Sequence, residues 1–176
     1  MTKNHFLAFD IGASSGRAML GTLENGHLTL AEVHRFKNQM SCIQGTYFWN
    51  IYLLFDELKT GLRKCINELG IQPQSIGIDT WGVDYALVNE KGRLTGLPFA
   101  YRDHRTDEAM EAFFQILPKK ETYLLSGIQF MQFNTLFQLF ASVQQLDPEL
   151  RIAEKLLFTP DALNFLFTGI QKNEYT

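Results

Sequence analysis

The chain has 176 residues, of which 45% are hydrophobic and 20% charged, with a formal net charge of −3. That is the balance of a soluble globular protein with a real core, and it offers no basic field for nucleic acid. No apolar run approaches the roughly 20 residues of a membrane span, and Met1-Thr2-Lys3-Asn4 lacks a signal-peptide layout, because the short apolar run behind it leads into Asp10. Cys42 and Cys65 show neither metal spacing nor a disulfide framework, so they read as two reduced, mostly packed thiols of a cytoplasmic protein.

Phe6 to Phe9 reads as a buried strand ending on Asp10, and Arg17 to Thr22 as a second strand. Asn25-Gly26 favours a tight hairpin turn, and the alternation from Leu28 to Phe36 supplies a third strand, so the chain opens as an antiparallel meander. A helix follows, capped by Asn50, with one apolar stripe through Ile51, Leu54, Phe55, Leu58, Leu62, Cys65, Ile66 and Leu69 and a stop at Gly70. Ser75 to Asp79 returns as a strand that can lie parallel to the first. Tyr85-Ala86-Leu87-Val88 and Arg93-Leu94 flank Asn89-Glu90-Lys91-Gly92, which reads as another hairpin. Helices are expected over 106–116, 120–125, 134–145 and 160–167, with stops at Gly127 and Gly169. The predicted fold class is α/β, one domain with a mixed sheet and a helical elaboration.

The polar loop after Asp10, Ile11-Gly12-Ala13-Ser14-Ser15-Gly16-Arg17, has what a phosphate needs. Its glycines let backbone N–H groups approach, Ser14 and Ser15 add hydroxyl donors, and Arg17 adds a fixed cation. A carboxylate beside phosphates needs a metal between them, and Asp10 is placed to hold Mg²⁺ through water. The Walker loop fails because no lysine follows Gly16, and the dinucleotide fingerprint fails because the spacing is wrong and a strand follows. Strand, acid, glycine loop and strand is similar to the first phosphate loop of the actin and sugar-kinase superfamily. The loop alone reads equally well as a tight hairpin in which Asp10 accepts loop N–H groups.

Ser75-Ile76-Gly77-Ile78-Asp79-Thr80-Trp81-Gly82 repeats the theme of an apolar strand tipped by an acid. Two such strands side by side would aim Asp10 and Asp79 at one cleft outside the strand ends. Trp81 can cover the C–H face of a sugar while the Gly82 backbone comes close; ordinary core packing is the other reading of the tryptophan, and loop capping that of Asp79. In Tyr101-Arg102-Asp103-His104-Arg105-Thr106, a carboxylate held by arginines would suit sugar hydroxyls. The same string describes a solvated helix start with Thr106 as cap. His104 has no metal-binding partner nearby.

The strings Asp10-Ile11-Gly12-Ala13-Ser14-Ser15-Gly16-Arg17, Ile78-Asp79-Thr80-Trp81-Gly82-Val83-Asp84, Tyr101-Arg102-Asp103, Ser126-Gly127-Ile128-Gln129-Phe130 and Phe133-Asn134-Thr135-Leu136 occur in that order. Together they closely resemble the FGGY carbohydrate kinases, and among them the branch acting on L-rhamnulose rather than on xylulose, ribulose or glycerol. The resemblance implies a ribonuclease-H-like, actin-like ATPase fold and ATP- and Mg²⁺-dependent phosphorylation of L-rhamnulose at its 1-hydroxyl. By position it assigns Ala13, Ser14, Ser15, Gly16 and Arg17 to the ATP phosphates, Gly82 to the ketose and Asp10 to the metal through water. Trp81 and Asp103 fall near the ketose by proximity to those motifs. The family's catalytic base lies in a His-Asp-Thr-like motif that this sequence does not contain. Residues 1–176 are therefore expected to form the N-terminal portion of the sugar-side domain, with the base and the ATP-clasping domain beyond Thr176 and no activity in this portion alone. A kinase for another ketose and a non-catalytic sugar-binding or regulatory protein are the alternatives.

Overall fold

The computed structural model describes residues 3–175, which fall into two compact units. The first contains residues up to Gln39, Asn50–Gly82 and the segment from Thr159 onward; the second contains Met40–Trp49 and Val83–Phe158.

The first unit is built on a four-stranded sheet. β1 (Asn4–Ile11), β2 (Ser15–Glu24) and β3 (His27–Lys37) form the expected antiparallel meander. β6 (Ser75–Asp79) lies parallel to β1 at the opposite edge from β3, giving the order β3-β2-β1-β6; β4 and β5 belong to the second unit. Asn25 and Gly26 both take positive φ, 53° and 79°, as a two-residue turn matched to strand twist requires. Period-2 alternation buries Leu7, Phe9 and Ile11 on one face of β1. That face is covered by α1 (Ile51–Arg63), which contributes Ile51, Leu54 and Leu58 to the core. α6 (Thr159–Thr168) adds Ala162, Leu163 and Phe165, and its Phe167 meets Phe55 of α1 edge-on at 4.8 Å. The alternate face, carrying Ala8 and Asp10, is exposed.

Asn50 caps α1 as expected, its Oδ1 accepting from the Leu53 N–H at 3.0 Å. The helix then widens into a π-helical segment, Lys64–Glu68, in which the Leu69 N–H donates to the Lys64 carbonyl. An added residue in a turn rotates the following side chains by about 100°. The apolar stripe is therefore broken: Cys65 stays buried, while Ile66 and Leu69 turn outward. Burial pushes the Cys65 thiol up from its ordinary range. Cys42 is exposed, contrary to the expectation of two mostly packed thiols, because it lies on a two-stranded ribbon.

Gly61 is where α1 comes closest to the sheet: a Cβ there would lie 2.9 Å from Ala18 Cβ and 3.0 Å from the Phe9 ring. Gly61→Val is expected to destabilise the fold by about 1–3 kcal/mol, the usual cost of overpacking a core. Urea unfolding checks this; an unchanged midpoint would mean that α1 can ride outward without cost.

The second unit holds two ribbons and a helical layer. β4 (Met40–Ile43) and β5 (Thr46–Trp49) form a hairpin through Gln44 and Gly45, at φ 52° and 85°. β7 (Tyr85–Asn89) makes the expected turn through Gly92, but Arg93-Leu94 contributes only an isolated bridge, Val88 to Leu94. The ladder partner of β7 is β8 (Ala153–Phe158), a strand absent from the predicted elements. The helices are α2 (Ala109–Ile116), α3 (Lys119–Ser126), α4 (Thr135–Gln144) and the short α5 (Pro148–Arg151). Ala109, Phe137 and Ala141 form their core, packed by Phe113, Phe114, Phe130 and Phe140.

Candidate phosphate and sugar site

Both acid-tipped strands of the first unit end together. Asp10 and Asp79 are Cα partners in the parallel β1–β6 pair, so their side chains leave the same, open face of the sheet. The register continues the row: Asp10 pairs with Arg17 on β2, and Arg17 with Arg35 on β3. Four charged residues, Asp79, Asp10, Arg17 and Arg35, thus cross four strands in a line.

Arg17 donates through Nε and Nη2 to Asp10 Oδ2, at 2.9 and 2.7 Å. Arg35 forks onto Glu32, Nε to Oε1 at 3.0 Å and Nη2 to Oε2 at 2.5 Å. Those hydrogen bonds hold the Glu32 carboxyl below the ordinary glutamate range, and the charges of Arg35 and Arg17 act in the same direction. Asp10, Gly12, Ser15, Arg17 and Arg35 line a shallow hollow of about 210 Å³.

The loop beside this hollow is held from below. The Gly12 N–H donates to the Ser15 carbonyl at 2.9 Å. Asn38, buried, donates its side-chain amide to the Gly12 carbonyl at 2.8 Å and its backbone N–H to the Ser14 carbonyl at 3.0 Å. The Phe36 ring fills the space a Cβ would need at Gly16, so any larger residue there would have to displace the ring. With the loop's carbonyls tied down, the amides of Ala13 and Ser14 have no partner among the described residues. Asn38 and Phe36 were not singled out from the sequence; the only signal was their place just across β2 from the loop, which requires the β2–β3 register.

Among the described residues no group of three His, Cys, Asp or Glu side chains is set to hold a metal by itself. Asp10 and Asp79 are exposed carboxylates beside a loop with unpaired amides. That donor set fits a hydrated Mg²⁺ that takes its remaining ligands from phosphates and water.

Beyond β6, Thr80 Oγ1 donates to the Trp81 carbonyl at 2.9 Å, Trp81 is half-buried, and Gly82 is exposed with no atom within 4 Å of where a Cβ would sit. In the second unit, Val83 has φ 68°, a strained conformation for a β-branched residue. Its carbonyl is gripped by α4, accepting from Thr135 Oγ1 at 2.8 Å and Gln138 Nε2 at 3.3 Å. Asp84, 1% exposed, accepts from Trp49 Nε1, from the Tyr101 N–H at 3.1 Å and from Gln138 Nε2 at 2.9 Å. Arg105 completes this network, donating to Gln138 Oε1 and Ser142 Oγ at 2.9 and 2.7 Å while lying 3.9 Å over the Phe99 ring.

Asp103 is not held by arginine side chains. Arg102 turns to Tyr101, His104 to Asp107, and Arg105 to α4. Asp103 is nearly buried and accepts from two backbone amides, Tyr47 at 2.7 Å and Arg105 at 2.9 Å. It caps the 3₁₀ turn His104–Thr106; Thr106 does not cap the helix that follows, which starts at Ala109, and its hydroxyl is buried without a partner.

Residues 5–176 match the model of the N-terminal domain of the FGGY family of carbohydrate kinases. The chain belongs to that family. The FGGY chain is 46% identical over 173 residues to a rhamnulokinase of Halalkalibacterium halodurans, covering 98% of this chain and 37% of the relative. It is 45% identical over 174 residues to a rhamnulokinase of Bacteroides thetaiotaomicron, covering 99% and 36%. The chain therefore spans a little over a third of the length of these curated relatives. Among solved structures it is similar to a gluconate kinase of Lactobacillus acidophilus, with TM-score 0.83 at 12% identity over 97% of this chain and 34% of that one. A xylulose kinase from the same organism gives TM-score 0.82 at 12% identity, over 96% and 34%. The fold is accordingly that of the actin-like FGGY sugar kinases, with the mixed sheet the sequence predicted. Among the described residues no helix is long and apolar enough to cross a membrane.

Proposed function

We propose that this chain is the N-terminal part of the sugar-side domain of a kinase that transfers the terminal phosphoryl group of ATP to the 1-hydroxyl of L-rhamnulose in the cytoplasm. The observation that carries the reading is the pairing of Asp10 with Asp79 at matched register, beside a glycine–serine loop whose Ala13 and Ser14 amides are unpaired. The choice of L-rhamnulose among ketoses is supported by the identity to the rhamnulokinases.

In this reading the amides and hydroxyls of Ala13 to Gly16 and the Arg17 guanidinium cradle the ATP phosphates, where fixed donors stabilise charge without reorganising. Asp10 holds Mg²⁺ through water, which when bound supplies charge neutralisation on the phosphate oxygens. Gly82 lets the ketose approach the backbone, and Trp81 shields one face of it. Removal of the sugar hydroxyl proton is assigned to a carboxylate outside residues 1–176.

The test is Gly82→Leu in the enzyme that carries this chain. Because nothing lies near the added side chain within the first unit, the thermal midpoint should hold. The KM for L-rhamnulose should rise about tenfold, equivalent to about 1.4 kcal/mol, with the KM for ATP unchanged. An unaltered ketose KM removes Gly82 from the sugar site. A comparison of L-rhamnulose with L-ribulose and D-xylulose decides the ketose: a preference for either of the others overturns the substrate assignment.

A further inference from the structure

We infer that Arg35 is a second phosphate-binding cation of this site, standing beside Arg17 on the terminal phosphates of the nucleotide. The inference rests on the proposal that the loop cradles ATP.

Arg17 and Arg35 face each other directly across β2 and β3, on the open face of the sheet. Like charges at such a position destabilise a strand pair, so a neutral partner for Arg17 would serve the sheet better. Both positions nevertheless carry a guanidinium, and each is anchored by its own carboxylate, Arg17 by Asp10 and Arg35 by Glu32. Both anchors use the same edge, Nε and Nη2. The Nη1 group of each is left without a partner among the described residues. Both arginines line the hollow that also contains Gly12 and Ser15 of the loop. The Glu32 fork fixes the plane of the Arg35 guanidinium, so little rotamer freedom remains to be lost when an anion arrives. A polyphosphate in the hollow would relieve the Arg17–Arg35 repulsion and use both unpaired Nη1 groups. Lysine would do both tasks less well, because its ammonium is a point charge without a planar fork to hold the carboxylate on one edge and present a fixed donor on another.

The experiment compares wild type, Arg35→Gln, Arg35→Lys and Glu32→Gln in the full enzyme. It uses calorimetric titration with Mg·ATP and with inorganic tripolyphosphate, initial-rate kinetics and thermal unfolding. Arg35→Gln should weaken Mg·ATP and tripolyphosphate binding about tenfold or more, the effect of losing a charge-assisted hydrogen bond. The ketose KM should stay within about twofold, and the thermal midpoint should barely move because the Glu32 pair is exposed. Arg35→Lys should recover less than half of the lost affinity. Glu32→Gln, which keeps the guanidinium, should keep most of it. An Arg35→Gln enzyme that binds Mg·ATP like wild type overturns the inference, as does a Glu32→Gln enzyme as impaired as Arg35→Gln, since the ion pair alone would then matter. A wild-type enzyme that phosphorylates no ketose and binds no Mg·ATP overturns the kinase reading itself, and Arg35 with it.

Discussion

Asp10→Asn is expected to lower turnover by about 10²–10³-fold while leaving the protein folded. The Asp10–Arg17 pair is half-exposed on both sides, and a pair in that setting contributes at most about 1 kcal/mol to stability. Asparagine keeps the shape and one acceptor oxygen, so Arg17 retains a partner. The negative charge facing a hydrated metal is lost, and removal of one preorganised electrostatic contact at a reacting group costs that order in kcat. Activity per active site and the thermal midpoint, measured on the same preparation of the whole enzyme, separate the two effects. A folded Asp10→Asn enzyme with wild-type kcat would take Asp10 out of the chemistry. A large loss of stability with turnover per folded molecule retained would make it a loop tie.

Asp84→Ala should strongly destabilise the second unit, by about 2–5 kcal/mol, at roughly 1–3 kcal/mol for each buried N–H deprived of this acceptor. The carboxylate is buried and accepts from three groups, Trp49 Nε1, the Tyr101 N–H and Gln138 Nε2. Alanine leaves the indole and the Tyr101 amide without this acceptor, while Gln138 keeps its bonds to the Val83 and Phe133 carbonyls. Asp84→Asn should cost less, about 1–3 kcal/mol, for a geometric reason. Its oxygen can serve Trp49 and Tyr101, but its NH₂ then faces the NH₂ of Gln138. Gln138 cannot flip to accept, because its Oε1 is taken by Arg105. Denaturant unfolding of the whole enzyme, followed by fluorescence of Trp49 and Trp81, checks the order. A loss under 1 kcal/mol for Asp84→Ala would mean that the pocket admits water and the network is not closed.

Much of the candidate site is legible in the sequence. Asp10 and Asp79 each end an apolar run, and a helix between them lets the two runs lie parallel; that the two acids are direct partners is seen only in the fold. The Asn25-Gly26 turn, the Asn50 cap and the αL stop at Gly127 are encoded in one or two residues each, because their geometry is satisfied within a few bonds. Asp103 shows where such reading ends. Its neighbours in sequence are cations, yet its partners are the Tyr47 amide, 56 residues away, and the Arg105 backbone, and the arginine side chains leave in other directions.

The sequence by itself determined the glycine–serine loop, the two acid-tipped strands, the meander and the family, since each rests on short-range pattern: period-2 alternation, the φ freedom of glycine and a cap within one turn. Only the tertiary structure decided that β7 takes β8 as its partner, that the helix after Asn50 widens and turns Ile66 and Leu69 to solvent, and that Arg35 stands opposite Arg17. Only it decided, too, that Asp84, Gln138 and Arg105 close a buried network. These features depend on which distant groups are brought within about 3 Å of one another, a distance at which a buried donor must find an acceptor or cost 1–3 kcal/mol. That requirement acts on the folded chain as a whole, and a linear string of residue types does not record which acceptor will be there.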